Sequence, residues 1–179
     1  MSDDEKMDVR DTVSVLLSPA TLIIVDIFRS LREPDHHGDS WVLKGFEQSS
    51  RRRRVSPGEA RTLVSESLLL AFALNRQRGR PLSHHPRGVR RGTIDEYALL
   101  TLIAASREPE VELIYEACAA LGVESLEFIT PIAADLARHW GMAGFPLNTP
   151  KLVEFRAIVG KTDPFDAQSA WIDQSAFKF

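Results

Sequence analysis

The chain has 179 residues, of which 44% are hydrophobic and 26% charged, values that suit one globular domain with a substantial core and exclude a low-complexity or disordered polymer. Its one cysteine, Cys118, excludes an internal disulfide and a thiolate zinc cluster within one chain, and fits a reducing compartment. The net charge of −3 hides a segregation: between Arg51 and Arg91 eleven arginines face only Glu59 and Glu66, a balance of +9, so the rest of the chain carries −12.

In chain order, "MSDDEKMDVRD" is charged and lacks the apolar centre of a secretory signal, so residues 1–17 read as a flexible acidic end and the protein as cytoplasmic. The next stretch, "VSVLLSPATLIIVDIF", is apolar but too short for a membrane span and interrupted by Pro19 and Asp26. Ser18-Pro19 opens a helix over 19–32. A short oxygen-bearing side chain satisfies free backbone N–H groups there, and proline in the first turn forfeits no bond. The same punctuation recurs at Ser56-Pro57, Thr130-Pro131, Thr149-Pro150 and Asp163-Pro164.

Ser56-x-x-Glu59 and Thr93-x-x-Glu96 add the reciprocal capping box, and Gly79, Gly122, Gly141 and Gly160 mark helix ends. These signals predict helices over 57–78, 94–107, 110–121, 131–140 and 150–159, with a short one near 164–174. Residues 33–55 carry no decisive period, and "DSWVLKGFEQ" within them fits a strand, a helix or a loop. Strand-like alternation with hairpin turns is absent. The fold class that follows is all-α: an irregular helical bundle over 18–160, in which helices 57–78 and 94–107 are apolar nearly all round and therefore central.

Two basic segments flank helix 57–78, which is about 30 Å long and holds them apart. One is the linker 48–56 with Arg51, Arg52, Arg53 and Arg54. The other is the loop 79–92, "GRPLSHHPRGVRRG", with Arg80, Arg87, Arg90 and Arg91. Bundle links usually run to roughly 2–8 residues, so a longer one points to function or disorder. Arg76 and Arg78 complement the carbonyl end of their helix, whereas Arg51–Arg54 stand at an amino end where cations are disfavoured.

The arginines have two destinations. One is internal, toward Glu108, Glu110, Glu112, Glu116, Glu124 and Glu127. The other is an outside anion: an acidic protein first, nucleic acid second, an anionic membrane surface third. Aromatic side chains do not interleave with the arginines as a base-stacking platform requires. "IYEACAALGVESLEFITPI" resembles the spacing of a DNA-reading helix-turn-helix, but it would present Glu124 and Glu127 to phosphates, and Pro131 interrupts it. The carboxyl end, 161–179, carries Phe165, Trp171, Ile172, Phe177 and Phe179, an apolar set suited to docking on its own bundle or in a partner's groove. Self-association is a further option for such a chain.

No catalytic chemistry is legible. His36, His37, His84, His85 and His139 lack metal-ligand spacing, and phosphate-loop, dinucleotide and nucleophile-elbow motifs are absent. Cys118 sits among alanines, as a buried small residue does. No catalytic residue, metal or cofactor is expected. The function expected is a non-catalytic helical adaptor or regulatory protein acting by protein–protein binding, with its arginines as the electrostatic contact. The alternative is nucleic-acid binding through Arg51–Arg54 and Arg80–Arg91.

Overall fold

A computed structural model describes residues 15–30, 39–50 and 55–160. Within these residues the chain runs β1 (Val15–Leu16), α1 (Pro19–Ser30), α2 (Asp39–Ser50), α3 (Pro57–Arg78), β2 (Arg91–Gly92), α4 (Ile94–Arg107), α5 (Val111–Leu121), α6 (Leu126–Met142) and α7 (Leu152–Ile158). The all-α expectation holds: seven helices pack together with almost no strand.

α4 is the axis. From Ala98 to Ser106 every side chain is buried, because α5 and α6 pack along it. α6 also packs on α3, α2 lies on α3, α1 touches both α2 and α3, and α7 leans on α5. Trp140 of α6 is sealed in the core between Phe46 of α2 and Phe145, both edge-on at 5.6 and 4.7 Å. Tyr97 of α4 stacks on Phe155 of α7 at 5.7 Å, which fixes the last described helix. Aromatic pairs of this kind add about 0.5–1.5 kcal/mol beyond area burial.

The capping signals at α1, α3 and α4 act as the sequence predicts. Ser18 Oγ accepts from Thr21 N–H at 3.1 Å, and both boxes close at Ser56/Glu59 and Thr93/Glu96. Several boundaries differ. The undecided stretch within 33–55 contains a helix, α2. Helix 131–140 begins earlier, at Leu126, so Pro131 lies inside it and Thr130 is not its cap. Gly141 does not end that helix; Gly144, at φ 76°, follows the end instead. The expected flexible end at 1–17 overlaps structure: Val15–Leu16 pair antiparallel with Arg91–Gly92, and Leu17 is buried. This two-residue ladder also amends the expectation of no strand. The helix expected near 164–174 lies outside the described residues.

Among the described residues no single helix is long and apolar enough to cross a membrane. α5 and α6 pass such a test only as a pair, and they are bent by 108° at Gly122–Ser125.

Candidate functional site

The loop 79–92 carries four of the arginines singled out above, and the structure shows what holds it. Three helices deliver charge to its underside. α1 contributes Asp26 and Arg29, α3 contributes Arg78 from its last turn, and α4 contributes Asp95 and Glu96 from its first. The two acids favour the amino end of α4 and Arg78 the carboxyl end of α3, so local helix electrostatics and the tertiary network agree in sign.

Arg29 is only 1% exposed, yet its donors are all engaged. Its Nε and Nη2 donate to the two carboxylate oxygens of Glu96 at 2.7 and 2.9 Å, a bidentate pair. Nη2 also donates to the Arg91 carbonyl at 2.8 Å. Nη1 donates to the Val89 carbonyl at 2.8 Å, and to the Pro86 carbonyl and Asp26 at 3.2 Å. One buried side chain thus holds three carbonyls of a loop that has no helix of its own. Asp26 accepts from Gly88 N–H at 3.1 Å. Burial pushes its carboxyl above the usual range, against the pull of Gly88 and Arg29.

Asp95 is the second anchor. It accepts from Arg78 Nη2 at 2.6 Å, from Ser83 N–H at 2.8 Å and from both Nη atoms of Arg80 at 3.3 Å. Thr93 Oγ1 donates to the Ser83 carbonyl at 2.8 Å, so Ser83 is held at both backbone groups. Arg90 reaches back to the Leu17 carbonyl at 3.4 Å, while Leu17 N–H donates to the Arg90 carbonyl at 2.8 Å.

Of the predicted binding arginines, Arg80 therefore shares Asp95, and Arg87 lies over Gly45 of α2 and near Asp26. Arg90 and Arg91 are exposed, Arg90 while donating to the Leu17 carbonyl. Arg51, Arg52, Arg53 and Arg54 lie outside the described residues, as do Phe165, Trp171, Ile172, Phe177 and Phe179. The internal carboxylates are not those the sequence suggests. The acids that meet the loop are Asp26, Asp95 and Glu96; of the glutamates at 108–127, Glu116 pairs with Arg156 of α7 at 2.9 Å. Glu96, read from sequence as a capping-box residue, is together with Asp95 also the hub of the network. The sequence signal that could have flagged this is three acids in otherwise apolar helices, Asp26 in "LIIVDIF" and the adjacent pair before "YALLTLIAA".

Elsewhere, His139 of α6 meets Glu66 of α3 through Nδ1 at 2.6 Å, beside a cavity of about 130 Å³ lined by Glu59, Thr62, Leu63, His139 and Met142. Thr62 Oγ1 donates to the Gly58 carbonyl, so it is committed to its own helix. No cluster of three metal-ligating side chains occurs among the described residues. Cys118 is buried, and burial pushes its thiol up to about 12, which keeps it protonated and unreactive at neutral pH. No family model, curated protein or solved structure matches the chain.

Proposed function

We propose that the chain is a non-catalytic helical adaptor or regulatory protein of the cytoplasm that binds an acidic segment of another protein through its basic loop. One observation carries this reading: a 14-residue loop is held by buried ion pairs while Arg90 and Arg91 remain exposed. A surface fixed before contact loses little conformational entropy on binding, so modest charge pairs yield more net affinity. Arg51–Arg54 and the aromatic residues of 161–179 are assigned as further contacts on the strength of their composition.

Nucleic acid would be drawn to the same guanidinium groups, but less supports it. The loop has no Phe, Tyr or Trp for stacking, and the chain outside 51–91 carries an excess of acids that repel a phosphate backbone.

The test uses two probes side by side, a fluorescent polyglutamate peptide and a DNA duplex, across a salt series. Peptide binding at low salt that weakens roughly two- to thirtyfold in the Arg90→Ser/Arg91→Ser double variant is the expected result, since exposed pairs contribute about 0.2–1 kcal/mol each. Preferential, steeply salt-dependent duplex binding would transfer the site to nucleic acid. Binding of neither probe would sink both readings.

A further inference from the structure

The described chain begins beside the basic loop. β1 and β2 pair antiparallel, with Val15 opposite Gly92 and Leu16 opposite Arg91. Directly opposed residues share one face of a ladder, so the Arg91 side chain stands next to that of Leu16, and both are exposed. The pairing is secured on both strands. Leu17 is buried close to Gly92 and donates to the Arg90 carbonyl at 2.8 Å, while Arg29 holds the Arg91 carbonyl. Residues 1–14 are therefore tethered at a fixed point next to Arg91.

That segment is acidic where the loop is basic. It holds Asp3, Asp4, Glu5, Asp8 and Asp11 against Lys6 and Arg10. At the loop, Asp26, Asp95 and Glu96 are engaged by Arg29, Arg78 and Arg80, and Arg90 and Arg91 have no carboxylate partner among the described residues. An extended chain spans at most about 3.6 Å per residue, so Asp11 lies within about 14 Å of Val15 and Asp8 within about 25 Å. A tether this short gives an effective concentration on the order of millimolar, which multiplies the weak attraction of exposed charges. The other acidic run, Glu108, Glu110 and Glu112, lies past the far end of α4, about 20 Å along the helix and beyond the reach of screened charges.

We infer that residues 3–11 fold back over Arg90 and Arg91 and occupy the surface that an acidic partner uses. The inference rests on the proposed function and supplies its regulation: the chain carries its own competitor, which a partner must displace. Weakly acidic segments are thereby turned away, and only a partner with denser negative charge opens the site.

A nitroxide on Met7→Cys in the full chain tests the contact, since Cys118 is buried and its thiol protonated. The comparison is a chain of equal length with Asp3→Asn, Asp4→Asn, Glu5→Gln, Asp8→Asn and Asp11→Asn. At low salt the label should broaden the Arg90 and Arg91 amide signals more in the acidic chain than in the amide variant, and about 0.5 M salt should remove the difference. Without the label, the amide variant should bind fluorescent polyglutamate about three- to tenfold more tightly than the native sequence at low salt. Equal broadening in the two chains, or broadening stronger at 51–54 than at the loop, overturns the inference and leaves the proposed function standing. So does equal affinity when both chains bind polyglutamate. Binding by neither sinks the proposed function and its regulation with it, and the nitroxide then reports separately whether the contact forms.

Discussion

A guanidinium shut away from water and ringed by acceptors dominates the chemistry of this molecule at the residue scale. Removing one member of a buried pair strands the other, at a cost of about 3–5 kcal/mol. Arg29→Ala and Glu96→Gln should each lose stability of that order in urea denaturation. A loss under about 1 kcal/mol would mean that water replaces the missing group and the network is not sealed. Cys118 gives a pH signature. Its thiol titrates near 9 when unfolded and about 12 when folded. The folded state therefore holds the proton longer, and stability falls as pH rises from about 9 toward 12. Cys118→Ala should flatten that decline, and thiol reagents at pH 8 should label the native protein only after denaturant is added. The residues of the network were half legible. Thr93-x-x-Glu96 announced a cap, and the cap is there. Nothing local announced that the same carboxylate also holds an arginine 67 positions away, because a long-range ion pair leaves no periodicity.

At the scale of elements, the loop between α3 and α4 is long, rich in glycine and proline, and still fixed at Ser83, Pro86, Gly88, Val89 and Arg91. Limited trypsin digestion should spare Arg87, Arg90 and Arg91 in the native protein and cut there quickly in Glu96→Gln. Equal rates in both would show that the loop opens regardless of its anchors. Two glycines should respond oppositely to alanine. At Gly92 a Cβ would sit 3.1 Å from the buried Leu17 side chain, which would have to give way by a few tenths of an ångström. Gly141 lies inside α6, where a Cβ meets only the end of the Arg107 side chain at 3.4 Å. Gly92→Ala should thus lower the melting temperature, and Gly141→Ala should raise it by the few degrees that about 0.5–1 kcal/mol brings. Most helix boundaries followed from caps and glycines. The start of α6 did not, because Thr130-Pro131 reads identically whether proline opens a helix or rides on the solvent face inside one.

At the scale of the whole molecule, the helical class and the central place of α4 followed from apolar periodicity, since a helix with almost no polar face must be surrounded. The charge segregation was equally plain in the sequence. What it could not convey was division of labour. Within the loop region Arg29, Arg78 and Arg80 are matched by Asp26, Asp95 and Glu96, while Arg90 and Arg91 remain outside that balance. Helix 57–78, read as apolar nearly all round, leaves Leu69 and Phe72 exposed instead.

The pairing of α1 with the entrance to α4 also sets a timetable for biosynthesis. A ribosome releases Asp26 and Arg29 long before Glu96, and until that carboxylate emerges the apolar flank of α1 (Ile24, Val25, Ile27 and Phe28) has no finished cradle. Nascent chains stalled ahead of residue 94 should therefore leave α1 open to protease or chaperone, and those extended past α4 should begin to shelter it.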